Sequence, residues 1–396
     1  MRGIRVVEVG VWVAGPSAGA ILADWGADVV KIEAPTGDPY RWVYTGAPGE
    51  QALNAPFEFD NRGKRCVALR LDTPEGREVV GRLLAGADVF LTNMRPRALE
   101  GWGLDYASVA ADHPRLIYAS VTGYGTEGPD RDRASYDFGG FWSRSGIAAA
   151  LTQPASPPPA QRGGMGDHVT GATIAGGIAA ALFERERTGR GQRVSTSLLR
   201  TGLYVLGWDT SHALRTGRPL PIGLSRASAR NPLFNCYLTA DGHWFWLLGL
   251  EGDRHWPAFA VAIDRPEWIE DERYSTLALR AANAAELIAA LDTIFVAEPL
   301  AVWAERFDNL DVWWAPVRTT AEVLDDPQVA ASGALVEAEM ADGRATVLAT
   351  PVDFSVTPAG PGGPSPEVGQ HTEAVLLELG YDWDEIISLK EASVIL

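Results

Sequence analysis

Short apolar strands alternate with segments of helical spacing over the first third of the chain. Ile4 to Val9 is β-branched and predicts a strand. Gly10 to Gly19 is rich in glycine and alanine. Ala18 to Trp25 has helical character, and Ala27 to Glu33 predicts a second strand. Strand, loop, helix and strand make a βαβ unit, which implies a parallel sheet with a right-handed crossover. The pattern then recurs. Pro74 to Leu84 has apolar residues at helical spacing, with Pro74 and Glu75 suited to a helix start. Asp88 to Thr92 and Leu116 to Val121 are expected strands, with a short helix at Tyr106 to Asp112 between them. The expected fold class is α/β, with a doubly wound, Rossmann-like parallel sheet.

Further along, Ala155 to Gln161 is proline-rich and predicts an exposed loop beside a site. Gly163 to Gly166 follow, then a long Ala/Gly-rich helix from Asp167 to Arg187, which Gly189 ends. Arg193 to Ser197 predicts one more strand. After Thr216 the composition shifts. Asn235 to Leu250 predicts a hairpin of two aromatic strands around Asp241-Gly242. Helices are expected at Ala285 to Phe295 and Pro299 to Phe307. This places a smaller α+β domain over 218–325, after a large domain over 1–217. Pro351 to Pro366 predicts a linker wrapping over a surface, and two short helices close the chain at Thr372 to Leu379 and Trp383 to Leu389.

Composition narrows the function. With 34 basic and 51 acidic residues the net charge is −17, which excludes a general nucleic-acid binder. An anionic ligand in a local basic pocket stays open. Two cysteines, Cys66 and Cys236, predict ordinary thiols in a reducing compartment, and no Cys/His cluster suggests a metal. No apolar run is long enough to span a membrane, and the first residues lack the apolar core of a signal peptide. The expectation is a soluble cytoplasmic protein.

Several segments carry candidate chemistry. Gly10, Gly15 and Gly19 do not fit GxGxxG, and Pro16 removes an amide a pyrophosphate would use, so a nicotinamide cofactor is disfavoured. Asn61-Arg62-Gly63-Lys64-Arg65 predicts either a solvated turn or a phosphate cradle. Asn93 and Arg95 follow a strand, at the edge where open α/β sheets bind ligands. Two basic segments there suit coenzyme A. Tyr136 and Asp137 belong either to a plain loop or to a cleft wall. No GxSxG motif or Ser/His/Asp triad is present.

Gly163-Gly164-Met165-Gly166-Asp167-His168 is the sharpest feature. Asp167 at a helix start is either an N-cap or a nucleophile, and the two roles are compatible. An ordinary aspartate is ionised at neutral pH. Glycines leave its flank open to a thioester, and helix-start amides are expected to hold an oxyanion. His168 is expected to be a supporting or surface residue more often than a base.

Taken together, GIRVVEVG, AGP, GADVVKIEAP, NRGKR, LRLDTPEGRE, ADVFLTNMRP, PRLIYASVTGYGTEGP, YDF, GDHVTG, RTGRGQRVSTSL and VGQHTEAVLLELGY resemble the class III CoA-transferase family. That family includes formyl-CoA and carnitine-type transferases and shares its fold with alpha-methylacyl-CoA racemases. The blocks run from about residue 3 to 385.

The resemblance implies a large domain built from both chain ends, with 326–396 returning to it, and an interlocked homodimer. It implies an acyl-CoA:carboxylate CoA-transferase with acyl-CoA and carboxylic acid as substrates and no tightly bound cofactor. The family's CoA site maps onto Val11, Trp12, Val13, Ala14, Leu69, Leu71, Asn93 and Arg95, with Tyr136 and Asp137 added as the cleft pair. The nucleophile is implied to be Asp167. The alternative is a racemase, which places a histidine where this chain has Tyr136; tyrosine is a poor base at neutral pH. Two departures concern the acceptor. Phe141 stands where many relatives carry glutamine, and with Trp142 it hints at an apolar or larger acyl group, the alternative being that both pack in the core. The glycine-rich lid expected near 218–231 is nearly glycine-free here.

Overall fold

The computed structural model describes residues 1–43, 54–223 and 225–396. These form two compact units. The first is Met1–Ala149, Pro159–Leu220 and Ala330–Leu396. The second is Ala150–Pro158 and Pro221–Val329. The expected lid segment includes Leu224, which lies outside the described residues.

The first unit is built on six parallel strands: β1 (Arg5–Val9), β2 (Asp28–Glu33), β3 (Arg65–Ala68), β4 (Val89–Thr92), β5 (Ile117–Thr122) and β6 (Arg193–Ser197). Their order is β3-β2-β1-β4-β5-β6, and every pairing is parallel. The fold is therefore mixed α/β with a doubly wound sheet. Strands covered on both faces need apolar side chains at successive positions. Val6, Val7, Val89, Phe90 and Leu91 supply them, all fully buried. The order reverses between β1 and β4, which opens a crevice at their carboxyl ends.

Helices flank the sheet: α1 (Ala14–Asp24), α2 (Ala55–Asn61), α3 (Pro74–Ala85), α4 (Pro96–Trp102), α5 (Tyr106–Asp112), α6 (Ile147–Ala150), α7 (Met165–Thr188) and α8 (Leu198–Val205), while α9 (Gly207–Thr216) follows α8 with no buried residue. Thr73 caps α3 through the amide of Gly76, and Asp105 caps α5 through Ala107 and Ser108. A π-helical turn spans Phe138–Ser143. The C-terminal helices Thr372–Glu378 and Trp383–Glu391 pack behind β3, where Thr372 Oγ1 accepts from the Ala68 amide. A hairpin, β10 (Leu335–Met340) and β11 (Gly343–Leu348), completes this unit.

Helix α7 crosses α1 at backbone contact. A Cβ on Gly171 would overlap Ser17 Oγ and lie 3.1 Å from the Ala14 carbonyl. Small residues on both helices thus bring the first turn of α7 beside the loop that follows β1. Gly171→Val is expected to cost about 1–3 kcal/mol by overpacking. A lowered denaturant midpoint with unchanged m-value checks it.

The basic stretch 61–65 is neither a solvated turn nor a phosphate cradle. Arg62 and Lys64 are buried. Arg62 pairs with Asp24 and donates to the Leu348 carbonyl. Lys64 pairs with Glu8 at 2.9 Å and donates to the Pro16 carbonyl. Arg65 lies in β3 and bridges Asp28 and Glu378. Lys31, also fully buried, pairs with Asp38 at 2.7 Å, and Asn61 Oδ1 accepts from both Lys31 and Lys64. Basic residues in an acidic chain have found internal partners, because a buried charge is tolerable only when paired.

The second unit holds an antiparallel sheet of β7 (Cys236–Leu238), β8 (Trp244–Leu247) and β9 (Trp314–Pro316), so the expected hairpin forms with its turn at Asp241-Gly242. Helices α10 (Gly252–Ala262), α11 (Leu277–Ala282), α12 (Ala284–Phe295) and α13 (Leu300–Asn309) surround an aromatic core of Phe245, Trp256, Phe259, Phe295, Trp303 and Phe307.

Candidate active site

The loop after β1 reaches the crevice and is pinned there by two side chains. Asn93, the residue after β4, accepts from the Val11 amide at 3.0 Å and donates to the Val11 carbonyl at 2.7 Å. Asp38 accepts from the Trp12 amide at 3.1 Å while its other oxygen holds Lys31. Trp12 takes a left-handed backbone conformation, φ 65°. The amides of Val11 and Trp12 are therefore both occupied. Trp12 instead offers its ring, which meets Tyr136 edge-on at 5.1 Å and lies 6.1 Å from Tyr40.

These rings open onto a cavity of about 1440 Å³ within the first unit. Its lining includes Trp12, Val13, Tyr40, Phe59, Tyr136, Asp137, Gly163, Gly164, His168 and residues of the β10–β11 hairpin. Of the sequence-predicted site, the structure thus gathers Trp12, Val13, Tyr136 and Asp137 with the residues flanking Asp167. Asn93 joins through the Val11 backbone. Val11, in the same loop, and Ala14, the first residue of α1, do not line the cavity. Leu69 is buried in the core, Leu71 packs against it, and Arg95 is exposed at the start of α4.

Asp167 lies in the first turn of α7, half-buried, between lining residues rather than among them. It is not the N-cap. Gly164 holds that position at φ 78°, and no side chain of the helix caps it. The anion at this helix end is Asp137, which accepts from the Gly166 amide at 3.3 Å and from Phe138 at 2.9 Å. Of the helix-start amides expected to hold an oxyanion, that of Gly166 is therefore already taken. Gly166 is required because a Cβ there would overlap the Phe141 ring. Phe141 and Trp142 are buried in the core, and Trp142 Nε1 donates to the Pro159 carbonyl, so neither shapes an acyl pocket.

Asp167 also departs from an ordinary aspartate. Burial, then the charges of Asp137 and Asp60, push its carboxyl up to about 7, against the opposing pull of His168. The acid expected to be fully ionised at neutral pH is poised instead. Asp137 is raised too, chiefly by burial.

Asp60 escaped the sequence reading. It lies on α2, fully buried, with Oδ1 3.0 Å from His168 Nε2. Its only signal was position, one residue before the basic stretch; nothing local marks a carboxylate there as facing a residue more than a hundred positions on.

Residues 1–372 match the sequence profile of CoA-transferase family III. The chain belongs to that family. As a CoA-transferase it is similar to (R)-2-hydroxy-4-methylpentanoate CoA-transferase from Clostridioides difficile, at 32% identity over 100% of this chain and 99% of that one. It is 35% identical to succinate–glutarate CoA-transferase from Agrobacterium fabrum, over 96% of this chain and 95% of that one. Among solved structures it resembles a CaiB/BaiF family protein from Brucella suis, with TM-score 0.83 and 33% identity over 96% and 98% of the two chains. The transferase reading therefore stands over the racemase alternative.

Proposed function

We propose that this CoA-transferase works through covalent catalysis by Asp167. The Asp167 carboxylate attacks the donor thioester carbonyl, forming a C–O bond and breaking the C–S bond. An acyl-aspartyl anhydride and CoA thiolate result. The thiolate attacks the aspartyl carbonyl and expels the donor's carboxylate, leaving an aspartyl-CoA thioester. The acceptor carboxylate attacks that thioester and displaces the thiolate. The thiolate then attacks the acceptor's carbonyl in the new anhydride, giving acceptor-CoA and freeing Asp167. No net proton moves. Keeping the thiolate bound makes its return a local event, worth up to about 7–11 kcal/mol of barrier.

The observation that carries this reading is the placement of Asp167 in a helix turn whose neighbours Gly163, Gly164 and His168 line the large cavity. CoA is a substrate in the proposed cycle, held against Trp12 and Val13, the part of the predicted stretch Val11 to Ala14 that lines the cavity. The two relatives named above act on different acids, and the rings of Trp12, Tyr40, Phe59, Tyr136 and Phe138 in this cavity favour an acceptor with an apolar body.

A homodimer belongs to the same proposal. On α8 and α9, Tyr204, Trp208 and Leu214 are 86%, 85% and 80% exposed, and α9 has no buried residue, a surface suited to a partner. A cytoplasmic location is proposed with it, supported by two free thiols.

The test is a panel of acyl-CoA donors, with 2-hydroxy-4-methylpentanoate and glutarate among the acceptors, read by mass spectrometry. For a donor that turns over, hydroxylamine is expected to leave a hydroxamate on Asp167. Turnover without modification at Asp167 would remove it as nucleophile.

A further inference from the structure

We propose that His168, held by Asp60, receives the acceptor's carboxylate beside Asp167. The proposal rests on the Asp167 reading and adds the residue that admits the second substrate.

An acceptor carboxylate nearing Asp167 enters an acidic corner. Asp137 and Asp60 both raise the proton affinity of Asp167, so both lie close enough to repel a further anion. A cationic donor is needed to offset them. Among the described residues lining the cavity, the positively charged or chargeable side chains are Arg62, Arg162 and His168. Arg62 is buried, with its guanidinium committed to Asp24 and the Leu348 carbonyl. Arg162 is an exposed side chain in the loop before α7. His168 neighbours Asp167 in the same helical turn, is anchored from behind by Asp60, and keeps about two fifths of its side chain exposed where it lines the cavity.

Its Nε2 meets Asp60 Oδ1 at 3.0 Å. Asp60 is 1% exposed, and its second oxygen, Oδ2, has no hydrogen-bond partner among the described residues. Phe59 packs against the imidazole at 5.3 Å and 77°. The other face lies over Gly164, where a Cβ would come within 2.9 Å of Cε1 and 3.2 Å of Nδ1. The ring is thus fixed through one nitrogen, while Nδ1 has no partner among the described residues. With Nε2–H given to Asp60, Nδ1 donates only when the ring is an imidazolium. Burial opposes that charge, yet the hydrogen bond to Asp60 and the charges of Asp60, Asp167 and Asp137 outweigh it and raise the proton affinity of His168. Burial raises the proton affinity of Asp60 too, and the hydrogen bond and charge of His168 oppose that rise, so Asp60 serves as counter-ion with the imidazolium beside it.

The experiment uses the full-length enzyme with the best donor–acceptor pair from the panel above. His168→Gln keeps a hydrogen-bonding group toward Asp60 and removes the charge. Its acceptor KM is expected to rise by about ten- to a hundredfold, the loss of a charge-assisted hydrogen bond. Donor KM is expected to stay near wild type, and the Asp167 hydroxamate to form at near wild-type yield at a pH well above 7, where Asp167 is ionised even without the pull of His168. His168→Lys, which restores a cation, is expected to recover part of the acceptor KM. In the wild type, acceptor KM is expected to climb as pH rises through the imidazolium pKa, and in His168→Gln that climb disappears. An unchanged acceptor KM in His168→Gln with normal hydroxamate overturns the proposal and leaves the nucleophile in place. A parallel rise in donor and acceptor KM also overturns it, by showing a merely structural role. Turnover of the wild type without a hydroxamate overturns the underlying Asp167 reading instead.

Discussion

Asp167→Asn is expected to abolish CoA transfer while making the protein more stable at pH 8. An amide is no nucleophile toward a thioester, so turnover should fall by at least about a thousandfold and the hydroxamate should vanish. The stability gain follows from the raised proton affinity. An ordinary aspartate releases its proton near 3.8, whereas Asp167 in the fold does so at about 7. Between those values the folded state binds more protons than the unfolded chain, so the carboxyl's contribution to stability falls as pH rises through the window. Above it the fold carries an ionised, poorly solvated acid beside Asp137 and Asp60. Removing that charge is worth at most about 4 kcal/mol, because one pKa unit corresponds to 1.36 kcal/mol. Thermal melts of the two proteins at pH 4 and pH 8 check it: the gap should be wide at pH 8 and narrow at pH 4. The same poise fixes the sign of the kinetics. The wild-type donor half-reaction should quicken as pH rises and level off above about 7, when the nucleophile is ionised. A flat profile, or a melt gap independent of pH, would contradict the assignment.

Lys64→Met is expected to cost about 3–5 kcal/mol, although the residue touches no reacting group. Lys64 is fully buried, pairs with Glu8 at 2.9 Å and donates to the Pro16 carbonyl and Asn61. Burial pulls its pKa down to about 8, so Glu8 returns only part of the cost of burying the ammonium, and the loss on mutation comes from Glu8, which among the described residues keeps only Lys31, at 3.7 Å. Removing one member leaves Glu8 charged inside the sheet next to Lys31. Pairing the change with Glu8→Gln should recover a kcal/mol or more, since neighbouring buried charges are not additive. Urea unfolding of the two single variants and the double variant measures the coupling. The functional consequence is indirect: Lys31 binds Asp38, and Asp38 holds the Trp12 amide, so disturbing this network should loosen the loop at the cavity mouth.

Both predictions concern residues whose types were plain in the sequence but whose environments were not. The acid of the GD pair stood out because a carboxylate after three glycines has few structural reasons to be there. That the cap role belongs to Asp137, thirty positions earlier, was invisible: Gly166 gives its amide to a side chain brought in by the π-helical turn. Phe141 and Trp142 illustrate the reverse error. An aromatic pair near a site suggests an acyl pocket, but the Phe141 ring fills the gap left by Gly166 on the facing helix and Trp142 is buried beside it in the core. The stretch 61–65 misled for a related reason. A run of basic residues shows its charge in sequence and hides its partners, and here Glu8, Asp24, Asp28 and Glu378 come from four separate segments.

What the sequence determined by itself was the local periodicity and its punctuation. Apolar runs of strand length, helical spacing between them and glycine at Gly189 and Gly242 specify a parallel α/β sheet and an aromatic hairpin, because backbone geometry repeats every two or 3.6 residues whatever lies nearby. The family blocks likewise marked Asp167 as the acid of interest. Only the tertiary structure decided which charges are sealed in pairs, which amides are already taken, and that Asp60 backs His168 beside Asp167. Those outcomes depend on desolvation and on contacts a few ångströms long between residues tens to hundreds of positions apart, and no local spacing encodes such a distance.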